Sequence, residues 1–149
     1  MLVIRKAGSR DAESLLDLYH NHLTANPPGE PQDMSIWRAT LERFEVDPNY
    51  HLLVGEVDGQ VVSSVTLIII ENLTHNVRPY SIIENVVTRS DHRNKRYATE
   101  LMNKASDIAR ERGCYKIMLM TGSKLESTLK FYENCGYNKD DKTGFIKWL

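Results

Sequence analysis

Long apolar stretches are missing from this chain. The longest, Val65-Thr66-Leu67-Ile68-Ile69-Ile70, is interrupted by a threonine and is strand-sized, far short of the ~18 residues that cross a bilayer. No membrane partner is therefore expected. The N-terminus, Met1-Leu2-Val3-Ile4-Arg5-Lys6, lacks the basic-then-apolar layout of a secretory signal, so a cytoplasmic location is expected. Cysteine is scarce. Cys114 and Cys135 lie too far apart for a CxxC or zinc pattern and sit among apolar or aromatic residues, so both are expected to be buried, reduced thiols. A surplus of one charge is also absent: 19 Lys and Arg face 20 Asp and Glu, a formal net charge of −1. That balance argues against a dedicated nucleic-acid binder. His20 and His22 lie two apart on an expected helix and face different ways, and no HExxH occurs, so no metal site is expected. Neither GxxxxGK[ST] nor GxGxxG is present, which excludes a P-loop and a dinucleotide fingerprint.

What is present is 149 residues with 41% hydrophobic and 26% charged side chains. That suits one domain over residues 1–149, able to bury about 70% of its unfolded-chain surface without a disulfide or metal. Leu2–Arg5 reads as a first strand. Ser9 is placed to cap a helix over 10–23, with Leu15, Leu16, Tyr19 and Leu23 on one face. Prolines 27, 28 and 31 force a loop, and a second helix carrying Trp37, Leu41 and Phe44 follows Asp33. His51–Val57 and Gln60–Ile70 are strand-like, and Asp58-Gly59 between them signals a type I′ hairpin turn. Tyr80–Thr88 is another strand. A helix over about 94–112 follows, with Tyr97, Ala98, Leu101, Met102, Ala105, Ile108 and Ala109 on its apolar stripe and Gly113 as its stop. Cys114–Met120 reads as a buried strand. Ser123-Lys124-Leu125-Glu126 fits a capping box opening a helix that Gly136 ends, and Gly144–Trp148 is expected as a closing strand. The order predicts a mixed α/β fold, with a mostly antiparallel sheet of six to seven strands and helices on both faces.

Chemistry concentrates in Val86–Glu100, where a strand runs through a basic turn into a long helix. The first turn of any helix leaves backbone N–H groups unpaired, and the helix dipole adds positive potential there. Arg93, Lys95 and Arg96 add three positive charges within four residues. Together they make a site for a pyrophosphate, or simply a solvated basic helix start.

At this point Arg93-x-x-Arg96-x-Ala98 resembles the [QR]-x-x-G-x-[GA] loop of the GNAT superfamily, the acetyl-CoA-dependent N-acetyltransferases. Phe131-Tyr-Glu-Asn-Cys-Gly-Tyr137 resembles the same superfamily's FYxxxGF segment. Ile83–Val87 and Gly113-Cys-Tyr-Lys-Ile117 look like glucosamine-6-phosphate N-acetyltransferases in particular. The strong likeness covers residues 80–137. Arg96 stands where Gly is usual, Asn85 where those enzymes carry Asp, and Thr128 where they carry Asn. If Arg96 is helical and points outward, it leaves the site open.

The resemblance implies a fold in which the fourth and fifth strands splay apart. It implies acetyl-CoA as co-substrate, its pantetheine arm bound by Val86, Val87 and Thr88, and its pyrophosphate by Arg93, Asn94, Lys95, Arg96, Tyr97, Ala98 and Thr99. Thr128 and Phe131 would line the arm. Glu84 would be the base, its pKa raised by apolar neighbours Ile82 and Val86 on the same strand face, and Tyr132 the proton donor to sulfur. His75, Arg78, Glu84 and Asn85 are the candidate acceptor contacts. The expected partner is a small, anionic or neutral primary amine, with a homodimer through Phe145–Leu149 as a further expectation. A peptide or polyamine acceptor stays open, as does an acyl-CoA sensor without turnover.

Overall fold

In the computed structural model, which describes residues 1–149, the chain starts with β1 (Val3–Lys6) and a 3-10 turn (Ser9–Asp11). α1 (Ala12–Leu18) follows and widens into a π turn (Tyr19–Leu23). Then come α2 (Met34–Val46), β2 (Tyr50–Val57), β3 (Gln60–Ile70), a one-turn element α3 (Thr74–Val77) and β4 (Tyr80–Thr88). A second 3-10 turn (Ser90–His92), α4 (Tyr97–Glu111), β5 (Ile117–Leu119) and α5 (Glu126–Asn134) complete it. The sheet order is β1-β2-β3-β4-β5, antiparallel except for the parallel β4–β5 pair that α4 connects. No helix is long and apolar enough to cross a membrane.

The mixed sheet with helices on both faces agrees with the sequence reading. The strand count does not: there are five strands, and 144–148 forms none. β5 offers only three residues for pairing, and the polar run Asn138–Thr143 separates the C-terminal segment from α5. Phe145 and Trp148 consequently stay 89% and 84% exposed. The expected buried strand at 114–120 is likewise reduced to Ile117–Leu119, all half-buried.

Two apolar layers hold the sheet. On one face Leu15, Leu18 and Leu41 of α1 and α2 pack on Leu52, Val54 and Val87. On the other Leu101, Met102, Ala105 and Ala109 of α4 pack on Leu53, Val65, Leu67 and Ile83. Of the predicted α4 stripe, these four are buried and Ile108 packs half-buried against them, while Tyr97 and Ala98 in the first turn are half-buried and outside that cluster. The hairpin turn forms as read, with Asp58 and Gly59 both at positive φ. Asp33 caps α2 by accepting the Ser35 amide at 2.9 Å.

Two other caps differ from expectation. Gly8, not Ser9, precedes the first turn, because the Asp11 carboxylate turns back to accept the Gly8 amide at 2.9 Å while gripping Arg5. Ser123 does not open α5. Leu125 occupies the cap position, and the Ser123 hydroxyl accepts the Leu125 amide and donates to Thr128 Oγ1 instead.

β4 carries the irregularity that matters. Ser64 pairs with Val87 and Thr66 with Glu84, so β4 places one more residue than β3 between these pairs. Asn85 sits in this bulge at φ 51°, a left-handed backbone that asparagine tolerates. The extra residue reverses the alternation. Ile83 and Val86 pack on the α4 side, while Val87 packs on the α1/α2 side. Glu84 therefore shares a face with Ile82 but not with Val86, which corrects the expected apolar flank on both sides.

The most buried charge is Asp11, 4% exposed. Arg5 donates to both of its oxygens at 2.8 Å and reaches Glu56 at 2.8 and 3.1 Å. Burial pushes the Asp11 carboxyl up, but the Arg5 fork and the Gly8 amide outweigh it and hold it below the ordinary aspartate range. A depressed carboxyl contributes stability above its unfolded pKa and loses that contribution as pH falls. Asp11→Ala is expected to cost about 2–3 kcal/mol at neutral pH, measured by urea unfolding. The gap to the parent should narrow below about pH 4, where even unfolded aspartate protonates.

Candidate active site

β4 and β5 pair only through Ser81–Ile117, Ile82–Met118 and Ile83–Leu119. From Glu84 to Thr88, β4 has no ladder partner on its β5 side. This is the expected splay. It leaves the backbone of Val86, Val87 and Thr88 flanking an open edge, the arrangement on which an extended ligand adds like a strand. Thr88 is fixed from the other side, where its hydroxyl lies 2.8 Å from Ser63 Oγ.

Beyond Thr88 the chain turns into α4. That helix starts at Tyr97 rather than at Asn94, because Asn94 and Arg96 are left-handed, at φ 62° and 65°. The first bond of the helix is Glu100 N–H to Arg96 C=O at 3.0 Å. No side chain caps it, and the amides of residues 93–99 have no partner in the chain. A left-handed residue running into a right-handed helix turns successive N–H groups toward one point, an anion-binding nest. The surroundings are exposed, and Lys95 and Arg96 form no ion pair. Residues here thus fit a pyrophosphate by amide geometry, helix dipole and charge together. Arg96 is not the outward-pointing helical residue expected, since its backbone is left-handed. Arg93 also turns away from the nest, with its guanidinium donating to the Thr88 and His22 carbonyls at 3.5 and 3.4 Å.

At the far side of the splay, α5 presents Phe131 and Tyr132, rings edge to face at 5.1 Å, against the α4-side core. Burial, Cys135 and the negative charge of Glu84 all raise the Tyr132 phenol, keeping it protonated. Burial, Tyr19 and the charge of Glu84 likewise raise the Tyr50 phenol. The Glu84 carboxylate is exposed, so the desolvated setting expected for it is not present. Asn85 is exposed beside it. Thr128 is half-buried and held by Ser123. Burial pushes the Cys135 thiol up, away from thiolate reactivity. Both cysteines are free and only half-buried.

The acceptor contacts divide. Arg78 is drawn away to the end of α4, donating to the carbonyls of Gly113 and Cys114 at 3.1 and 3.3 Å. His75 instead joins a cluster that sequence reasoning missed. Its ring stacks on Tyr115 at 3.9 Å, Tyr80 meets Tyr115 edge-on at 6.4 Å, and Lys116 Nζ stands 5.2 and 5.3 Å from the Tyr80 and Tyr115 ring centres. Lys116 is half-buried and forms no ion pair. Tyr80 precedes Glu84 by four strand residues on the same face, about 13 Å along the strand. The Gly113–Ile117 segment, which carries Tyr115 and Lys116, is the signal the sequence offers for this cluster.

The acetyltransferase (GNAT) family model matches residues 13–137. The chain belongs to this family. A glucosamine 6-phosphate N-acetyltransferase of Trypanosoma brucei brucei is 27% identical over 95% of this chain and 92% of its own length. A solved structure from Agrobacterium tumefaciens str. C58, provisionally named an acetyltransferase, superposes with TM-score 0.85 at 34% identity over 99% of both chains. The Arabidopsis thaliana glucosamine-6-phosphate N-acetyltransferase shares the fold, with TM-score 0.84 at 20% identity over 99% of this chain and 98% of that one.

As a GNAT member the protein is an acetyl-transferring enzyme. Its Arg96 occupies a left-handed position where a glycine would sit without strain. A non-glycine residue in that region costs on the order of 1–2 kcal/mol. Arg96→Gly is expected to raise unfolding stability by about 1 kcal/mol in urea titration. Stability at or below the parent's would show that the left-handed turn is not strained.

Proposed function

We propose that residues 1–149 form one acetyl-CoA-dependent N-acetyltransferase domain that acts on a small primary amine carrying an anionic group. The observation that carries this reading is the unpaired amide nest at 93–99, adjoining the open edge of β4. The backbone of Val86–Thr88 would hold the pantetheine arm, with Thr128 and Phe131 along its other side. Amides of Arg93–Thr99, helped by Lys95 and Arg96, would hold the pyrophosphate.

The thioester, when bound, supplies the activated acetyl group. Glu84 takes a proton from the acceptor ammonium, directly or through water, and frees the nitrogen lone pair. The nitrogen forms its bond to the acetyl carbon as the carbon–sulfur bond breaks, and the new amide nitrogen gives its second proton to solvent. Tyr132 gives its phenolic proton to the departing sulfur, and exchange with solvent restores both groups. A phenol held in its neutral form suits that donation. General acid–base assistance of this kind contributes about 10²–10⁴-fold, and correct positioning at least as much.

Lys116, Tyr80, Tyr115 and His75 support an anionic acceptor. A half-buried ammonium without a carboxylate partner, beside two phenols and an imidazole, suits a phosphate or carboxylate. The trypanosomal relative's name describes an amine bearing a phosphate, so glucosamine 6-phosphate heads the acceptors to try. Aminophosphonates, polyamines and peptides complete the set.

A thiol-release assay with acetyl-CoA across this panel tests the proposal. Turnover is expected with an anionic amine. Tyr132→Phe should lower kcat by about a hundredfold with CoA affinity unchanged, and Glu84→Gln should lose most at acid pH, where the amine is most protonated. Lys116→Ala should raise the acceptor KM by about tenfold or more. Tight CoA binding without release for any amine would favour the sensor reading.

The exposed apolar segment Phe145–Leu149 and the open edge of β5 support a homodimer as part of this proposal. Sedimentation equilibrium should give twice the monomer mass, and a Phe145→Asp, Trp148→Asp variant should be monomeric. A monomer at micromolar concentration in the parent would remove the dimer.

A further inference from the structure

The loop that presents the amide nest has internal bonds only ahead of the nest, among Thr88, Arg89, Asp91, His92 and Arg93. Asn94 and Arg96 occupy a backbone region that L-residues disfavour, and the amides of 93–99 make no bonds within the chain. Further restraints come from the end of α1. There the helix widens into the π turn, closed by Thr24 N–H to Tyr19 C=O at 3.0 Å, five residues apart. The half-buried His22 in that turn directs Nδ1 at the Ser90 amide, which donates to it at 3.2 Å. Ser90 opens the 3-10 turn before the nest, so its N–H is an orphan donor without this partner. The His22 carbonyl accepts from Arg93, and one turn earlier Asp17 holds Arg89 at 2.7 Å.

We propose that His22 is a positioning residue for the phosphate-binding loop, its unprotonated Nδ1 pinning Ser90 so that the amides of 93–99 stay aimed at one point. The proposal rests on the reading that these amides hold the pyrophosphate of acetyl-CoA. Protonated Nδ1 carries a hydrogen and cannot accept the Ser90 N–H, so acid pH releases the restraint. The charged neighbours are committed elsewhere. Arg89 bridges Asp17 and Asp91, His92 lies against Asp91, and Arg93 donates to carbonyls. No carboxylate pairs with the His22 ring.

The test compares the parent, His22→Ala and His22→Asn by calorimetric titration with CoA at about pH 8 and about pH 5.5, together with amide hydrogen exchange of residues 90–99 in the ligand-free protein. Asparagine keeps an acceptor oxygen but does not titrate. His22→Ala should bind CoA about fivefold more weakly at the higher pH, with faster exchange across the loop. His22→Asn should match the parent at the higher pH and bind more tightly than the parent at the lower one. Parent-like affinity in His22→Ala would overturn the proposal. So would His22→Asn tracking the parent's pH dependence, or weaker binding with unchanged exchange. Failure of the parent itself to bind CoA would instead overturn the pyrophosphate reading, and the exchange data would still report whether His22 restrains the loop.

Discussion

Backbone polar groups without internal partners are the constraint on which the site depends. Folding pairs nearly every buried amide and carbonyl with another group. Here β4 abandons β5 after Ile83, and α4 opens without a cap. Residues 93–96 are exposed and Val86 and Thr88 half-buried, so solvent access offsets part of the cost of leaving these groups unpaired. The two gaps also lie end to end, because a parallel strand–helix–strand crossover carries the chain from the end of β4 straight into α4. An extended ligand with a polyphosphate at one end, as proposed, would meet both in sequence. The two well-packed layers beneath, α1 and α2 on one face and α4 on the other, make such gaps affordable and keep them in register.

The bulge at Asn85 distributes the chemistry. By adding one residue it sends Val86 to the α4 side and Val87 to the α1/α2 side, and it leaves Glu84 exposed between them. Glu84 and Tyr132 belong to different elements, one exposed, the other half-buried and kept protonated. A phenol held neutral suits the acid role proposed for Tyr132. The cationic-aromatic cluster around Lys116 lies further down the same face, where β4 and β5 are still paired. Pairing begins beside that cluster, and its loss after Ile83 leaves the β4 edge open.

Much of this architecture was legible in the chain. The four-residue separations on α4, the Asp58-Gly59 turn, Asp33 before α2 and the bounds of β4 all follow from local rules, since each depends on neighbours within a few residues. Errors arose where distant residues intervened. Asp11 was pulled back by the Arg5 guanidinium and the Gly8 amide, displacing Ser9 from its capping role. Arg78 was drawn to the α4 terminus, and Arg93 to carbonyls of another element. A strand-like composition at 144–148 found only a three-residue edge to pair with. Strict alternation along β4 failed because nothing in Ile83-Glu84-Asn85-Val86-Val87 marks a bulge except an asparagine that accepts positive φ.

By itself the sequence determined element types, the two-faced sheet and the family, because periodicity, turn residues and the two motif segments are local properties of the chain. Tertiary structure decided which side of β4 each residue faces, where the strands part, and which of the many arginines and histidines remain free for a ligand. Those outcomes turn on hydrogen-bond competition between residues far apart in sequence. Asp17, His22, Arg89 and Arg93 illustrate it: four polar residues from two segments, ordinary when read singly, become the braces of one loop only when the fold sets α1 against the end of β4.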